Sequence, residues 1–529
     1  MEATTKKRPP SFKISIPGDE ERKTLILGLL NDVREVLVRQ LDHPVNNADI
    51  IEKSLKLFLE KFEIRNEAHH EPLDFNTYIQ VPEKGTEQKI FLTAETSLKR
   101  LVKVVENHAK VCDGSLACKK VNEKGHVAAV RFNCSSNKTH SLLWSSSPYL
   151  PNNEYLVNRR VMHGFACSGM LPVHYTRFVK GAKIGIIHQK NRDKCMQSIN
   201  TEIEEEYKES IDLALWGEVG CQGEDEDGIT IMTDARHGWR KNAKDSSVVA
   251  IGEKTHRVIK CENVTKQDDI VSQRHEKIGT ERIYKYLEDQ GIAINVHIHD
   301  RNLSINKFVK DLRGPVNQND SWHGVKPIKE KMKKISSGPA YLKGKNWSEH
   351  LYDKIEPVAT HCHWALRNCE QNPEKLKKLL VNIVEHYKNN HSECHHSSRC
   401  KKDKNYEPSR LVIADKFSEK LLLGVITGSN LYKYPEDYVL AKDTYYVESF
   451  NNTMNMFQDK RIAFGDQAYR TRSFLAVCHW NENVDRAFTS VWNPVRPNAP
   501  RSRKGKKVYK APTYHYREGI WKRQMAVLY

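Results

Sequence analysis

Apolar strands at "GITIMTD" (228–234), "SVVAIG" (247–252) and "HRVIKCENV" (256–264) are followed by a helical stretch (268–290) and a fourth strand, "AINVHIHD" (293–300); together they predict an α/β chain. Three strands, a helix and a further strand is the order in which a ribonuclease-H-like sheet opens. A second observation is length: 529 residues exceed one ordinary core, which leaves room for appended modules. A third is an interruption. Residues 340–440 are helical and rich in Cys and His, after which "DTYYVESFNNTMNMFQDKRI" (443–462) resumes as a helix. The predicted class is therefore a ribonuclease-H-like core interrupted by a helical insertion, preceded by a small zinc-ribbon-like β module and N-terminal helices.

In chain order, residues 1–18 are charged and Pro-containing and read as disordered. Residues 19–74 form a helical module, with Leu25, Leu29, Val33, Val36 and Leu37 on one face. Residues 75–150 alternate and turn often, as a small β module does. Residues 151–226 are mainly helical and close on "INTEIEEEYKESIDLALW". The core's first part spans 227–339, with a helix at 303–314, a short strand near 316–320 and the helix "WHGVKPIKEKMKKI" (322–335). The insertion spans 340–440 and the closing helices 441–490. Residues 491–529 read as a basic tail, flexible in "RPNAPRSRKGKKVYKAP".

Composition narrows the function. Lys and Arg total 85 against 67 Asp and Glu, a net charge of +18. That excess suits a polyanionic partner, nucleic acid before anionic membrane. No apolar run approaches the roughly 20 residues of a membrane span, and the N-terminus lacks the apolar stretch of a secretory signal. Twelve cysteines in a chain without that signal imply a reducing compartment, where clustered cysteines bind metal rather than form disulfides. The run "RSRKGKK" (501–507) suits nuclear import, so a nuclear location is expected.

Against this positive charge, three acids stand at telling places. Asp234 ends the first strand, Asp300 ends the fourth, and Glu448 lies on the helix that resumes after the insertion. A strand-terminal Asp is commonly a turn former or helix cap. In this sheet order, however, the first and fourth strands are neighbours, and a late helix crossing the sheet carries Glu448 to the same point. Converging carboxylates repel unless a cation sits among them. Mg²⁺ (or Mn²⁺) suits such a site, and it equips the site to activate a water or 3′-hydroxyl and to stabilise the leaving oxygen of a phosphodiester.

The segments "TDARHGWRKNAKDSSVVAI", "HIHDRNLSINKFVKD", "DSWHGVKPIKEKMKK" and "ESFNNTMNMF…CHWNENVDR" together resemble the DDE transposases of the Kolobok superfamily of eukaryotic DNA transposons, over about residues 112–490. The resemblance implies Mg²⁺-dependent cleavage and joining of double-stranded DNA at transposon ends, insertion at TTAA targets, and a homo-oligomer on DNA. It implies Asp234, Asp300 and Glu448 as the metal-binding triad. Asp320, Trp322 and His323 match its "DxWH" signature, with His323 orienting the scissile phosphate. Asn452, one turn after Glu448, would help position it. Arg236 and Arg301 beside the acids would contact phosphate, and Trp322 would stack on DNA. Ala235 stands where the family commonly has Gly, "HGWRKNAK" replaces its "DSPGH"-like stretch, and no N-terminal THAP finger is present. A domesticated DNA-binding protein without chemistry is the alternative; retention of all three acids favours the enzyme.

Two clusters point to Zn²⁺. Cys112, Cys118, Cys134 and His140 supply two ligand pairs from the β module, at loops longer than usual. In "EHYKNNHSECHHSSRC" the first set is His386, His391, Cys394 and His396, with Cys400, His361, Cys362, His363 and Cys369 as further candidates.

Overall fold

The computed structural model describes residues 88–223, 227–238, 242–493 and 505–529. The expected disordered segment 1–18 and helical module 19–74 lie outside the described residues, as do the first residues of the β module and part of the basic run 501–507. The described chain is mixed α/β.

It begins with α1 (Glu95–Ala109), then a three-stranded antiparallel sheet in the order β1 (Leu116–Lys124), β2 (Val127–Cys134), β3 (Ser141–Ser145). α1 falls inside the stretch expected to be all strand. Its apolar residues Leu98, Leu101, Val102 and Val105 repeat at helical spacing, a period masked by the turn-rich sequence around them. Trp144 on β3 donates from Nε1 to the Ser97 carbonyl at 2.8 Å, tying helix to sheet. α2 (Leu156–Cys167), α3 (Pro172–Gly181) and the long α4 (Gln189–Gly220) follow, as the helical reading expected.

The central sheet contains β4 (Ile229–His237), β5 (Asp245–Gly252), β6 (Val258–Thr265), β7 (Ile294–His299) and β8 (Val316–Asn319). Its order is β6-β5-β4-β7-β8. β4 pairs antiparallel with β5 and parallel with β7, and β7 pairs parallel with β8. The parallel pairs need crossovers. α5 (His275–Asp289) supplies the one before β7, and α6 (Leu303–Leu312) the one before β8. β5 is buried at every position, which is why it reads as a continuous apolar run rather than an alternating one.

α7 (Ser321–Ser336) leaves β8 and enters the core of the insertion. Its Val325, Ile328 and Met332 pack into the insertion, with Leu366 of α8 (Ile355–Asn368), Leu380 of α9 (Pro373–Tyr387) and Leu422 of α10 (Lys416–Thr427). The chain then returns along β8. Gln318 donates to the Glu436 carbonyl at 2.9 Å and accepts from the Leu440 amide at 3.0 Å. The Ser321 amide donates to the Lys442 carbonyl at 2.9 Å. This seam brings α11 (Tyr445–Met454) back across the sheet, where Val447, Phe450 and Met454 join the core. α11 ends short of the expected 462, because the chain turns at Asn455 to meet β4.

α12 (Asp466–Asn483) lies buried beside α4, and β9 (Phe488–Val491) pairs with β10 (Lys507–Tyr509). The C-terminal stretch differs from the expected tail. α13 (His515–Ala526) buries Tyr516, Ile520 and Gln524 at four-residue spacing, packs on α4 and pairs Arg523 with Glu206. Its single apolar stripe was hidden by basic neighbours.

Candidate metal centre at the sheet edge

Asp234 and Asp300 are brought together by register. β4 pairs with β7 so that Thr233 faces His299; the next residue on each chain is the acid. Glu448 arrives in the first turn of α11. His323, in the first turn of α7, holds the group together. Its Nδ1 lies 3.2 Å from Asp300 Oδ1, and its Nε2 lies 3.6 Å from Glu448 Oε1. Asn451, on the same helix as Glu448, donates from Nδ2 to Asp234 Oδ2 at 2.8 Å. The three acids are thus joined through two intermediaries across a 148-residue gap in sequence (448 − 300).

Asp320 closes that gap. Its Oδ1 accepts from the His323 amide at 2.7 Å, capping α7. Its Oδ2 accepts from the amide and hydroxyl of Thr444 at 2.7 and 2.6 Å, fixing the start of α11. Asp300, Asp320 and His323 lie close enough to share an ion. With both its oxygens committed, Asp320 acts as the clasp between the two helices. Asp234 accepts from the Ala235 amide and from Asn451 Nδ2, each at 2.8 Å, so a cation would share its carboxylate with those donors.

The electrostatics fit a cation. Burial, then the charges of Asp300 and Glu276, push Asp234 up to about 7. Glu276, in the first turn of α5, is itself raised by burial, against a hydrogen bond at 2.7 Å from Asn302 Nδ2. This further carboxyl was missed in the sequence because it falls inside the stretch 268–290 read as one helix, with no strand end to mark it. His323 Nδ1 and Asn451 Oδ1 are buried and have no well-formed hydrogen bond, so the site holds unspent polar capacity.

A pH effect follows. Without metal, folded Asp234 keeps its proton to about 7, while the unfolded chain releases it near 3.8. Between those values the folded state binds more protons, so stability falls as pH rises. Asp234→Asn removes that penalty, and Asn451 can turn its spare Oδ1 to accept from the new amide. The variant should be more stable than the parent at about pH 8, by about 2 kcal/mol after allowance for screening, and no more stable at about pH 4. Thermal denaturation without divalent ions at both pH values checks this; a gain at low pH alone would contradict it.

Two expected residues are placed differently. Asn452 is exposed, and the α11 asparagine that reaches an acid is its neighbour Asn451. Arg236 is only 2% exposed, so it does not face phosphate. It points under α11, donating to Asn455 Oδ1 at 2.9 Å and to Gln458 Oε1 at 3.2 Å, with a further bond to the Gln458 carbonyl. Residues two apart on a strand share a face, so Arg236 points to the same side as Asp234, but further along β4, where the turn after α11 covers it. Arg236→Lys cannot reach three acceptors from one ammonium and should cost about 2–4 kcal/mol in denaturant unfolding; an unchanged midpoint would contradict this. Arg301 and Trp322 are exposed, as a DNA contact requires, with the Arg301 guanidinium 5.5 Å from the Tyr434 ring centroid and Lys326 4.7 Å from that of Trp322.

Two further groups have the geometry to hold a metal. In the β module the four are His108, Cys112, Cys134 and His140. His108, from α1, replaces Cys118, which is exposed on β1. The two sulfurs are 3.6 Å apart, close to the edge of a tetrahedral site, which for two sulfurs is about 3.8 Å. His108 Nε2 and His140 Nδ1 are buried without partners. Asn137 Nδ2 lies 3.1 Å from His140 Nε2, leaving Nδ1 to face the sulfurs. Burial raises the Cys134 thiol, but the Asn137 and Ser136 amides and Cys112 outweigh it and hold it below the ordinary value.

In the insertion the four are His386, His391, Cys394 and Cys400. Cys400 replaces His396, which is exposed. Cys394 Sγ is 3.6 Å from His386 Nδ1 and 3.7 Å from His391 Nδ1; Cys400 Sγ is 3.8 Å from His386 Nδ1. Burial, then His391, pushes His386 down, which keeps it neutral as a ligand must be. Cys362 and Cys369 are core residues, and His361 is spent on the Leu379 carbonyl at 2.7 Å. Compared with known proteins, the chain matches no family model and no curated sequence.

Proposed function

We propose that this protein is a Mg²⁺-dependent DNA-cutting and joining enzyme of the DDE transposase type, with Asp234, Asp300 and Glu448 as its metal-binding acids. The observation that carries the reading is the convergence of these three carboxylates, from β4, the end of β7 and α11, onto His323 and Asn451. The sheet supports it: three antiparallel strands followed by two parallel ones, in the order β6-β5-β4-β7-β8, is the arrangement of a ribonuclease-H-like core.

Mg²⁺ bound by Asp234, Asp300 and Glu448 would supply charge for the leaving oxygen and a more acidic nucleophile. The residues of the chain do the rest. Asp320 and Thr444 fix α7 and α11 against each other, so Glu448 and His323 keep their places. His323, 30% exposed between Asp300 and Glu448, is placed to donate a hydrogen bond to a phosphate oxygen. Arg301, Trp322 and Lys326 form an exposed rim that holds the backbone, in keeping with the net charge of +18. The tetrahedral Cys/His sets suit Zn²⁺. One would fasten α1 to the β module and the other the insertion loop.

The reading is tested by Mg²⁺-dependent nicking of a duplex carrying the element's terminal repeat; no cleavage by the zinc-loaded full chain with Mg²⁺ or Mn²⁺ would overturn it. Binding should weaken steeply with salt, because phosphate contacts release counterions. A flat salt dependence would contradict a DNA-gripping rim.

A further inference from the structure

A second cleft opens on the other flank of α11, next to Glu448. It has a volume of about 420 Å³ and is lined by Tyr445, Tyr446, Ser449 and Thr453 of α11, by His479 and Arg486 from α12 and the turn after it, and by Phe488, Lys507 and Tyr509 of the β9–β10 hairpin. Three of its rings are open to solvent: Tyr445 is 65% exposed, Phe488 47% and Tyr509 49%. Two cations attend them, with Lys507 4.8 Å from the Phe488 centroid and Arg486 5.9 Å from that of Tyr509. Polar atoms in the cleft lack partners. His479 is 5% exposed and its Nδ1 is buried and unbonded; Arg486 Nε is in the same state. Burial, then Arg517 and Arg486, holds His479 neutral, so it can read a polar edge without adding charge.

Open aromatic faces with cations beside them are what stacks and holds an unpaired nucleotide. A flat ring entering the cleft would find a stacking partner in Tyr445 or Tyr509, the unbonded His479 and Arg486 atoms at its polar edge, and Lys507 for a flanking phosphate. On α11, Tyr445, Ser449 and Thr453 form the row adjacent to Glu448, so a strand whose phosphate lies at the acids has its neighbouring nucleotide within reach of the cleft. We infer that this cleft binds one unpaired base of a DNA strand, so that the enzyme's substrate is an end whose strands are separated next to the cut. The inference rests on the proposed DNA-cutting function and specifies its substrate.

The test is binding without Mg²⁺, where no chemistry occurs. The full chain is titrated against a labelled oligothymidylate and, separately, a blunt duplex of the same length. Phe488→Leu/Tyr509→Leu keeps apolar bulk and removes two rings. Stacking contributes about 1–3 kcal/mol per base, so single-strand affinity should fall about tenfold or more while duplex affinity stays within about twofold. Tyr445→Leu, outside the hairpin and at an exposed position, should give the same selective loss. Unchanged single-strand affinity in Tyr445→Leu, or equal losses on both DNAs, would overturn the inference. Because binding is read without cleavage, failure of the nicking assay leaves this result standing, and the reverse is equally true.

Discussion

Asp300→Asn is expected to lower Mg²⁺-dependent nicking of terminal-repeat DNA by about 10³-fold or more, while DNA binding survives. The carboxylate stands at the meeting of three elements: β7 delivers it, His323 Nδ1 sits 3.2 Å away, and the Thr444 hydroxyl oxygen, whose proton goes to Asp320, lies 3.3 Å from it. Asparagine keeps the shape and the Thr444 contact but loses the negative charge that a hard cation requires. Several kcal/mol of transition-state stabilisation depend on that cation, and each 1.36 kcal/mol is a factor of ten. Rim contacts through Arg301, Trp322 and Lys326 are untouched, so a gel-shift midpoint should move little. A variant that cuts as fast as the parent would remove Asp300 from the metal site; one that loses binding and cutting together would make it structural.

The second large effect concerns the Cys/His sites. Elemental analysis of the purified chain should give two zinc ions per chain, and Cys394→Ser should give one, with early unfolding of the insertion in hydrogen exchange. That loop is short of apolar burial between Asn389 and Ser398, so a metal held by His386, His391, Cys394 and Cys400 would supply much of its order. Structural zinc contributes about 10–16 kcal/mol in small domains, so losing one ligand removes a large part of the loop's stability. His396→Ala should retain both ions, which separates the ligand set containing Cys400 from the one expected on spacing. Zinc-free protein with unchanged stability would refute both sites.

Much of the sheet was legible because its strands are continuous apolar runs bounded by turns. β4 to β8 fall within a few residues of the stretches "GITIMTD", "SVVAIG", "HRVIKCENV" and "AINVHIHD" and of the short strand near 316–320. Asp300, Glu448 and His323 were legible for a related reason: they sit at element ends, where sequence marks position. Asp234, expected to end its strand, lies inside β4, at the point where pairing with β7 stops. What escaped depended on partners distant in the chain. Glu276 lies in the first turn of α5 and acquires meaning only beside Asp234 and Asp300. His108 joins Cys112, Cys134 and His140 only once α1 packs on its sheet. Asn451 and Asn452 are indistinguishable by spacing alone, since one turn of helix from Glu448 reaches both; the direction in which α11 buries Val447 and Phe450 selects Asn451. Arg236 misled because sharing a strand face with Asp234 does not show whether that part of the face is open; the turn after α11 covers it.

The central claim is that Asp234, Asp300 and Glu448 hold a divalent cation. Anomalous diffraction from crystals of the full chain soaked in Mn²⁺ tests it most directly. A manganese peak is expected among these three carboxylates and should disappear in Asp234→Asn; no peak there, or one that persists in the variant, would show that these acids do not hold the cation.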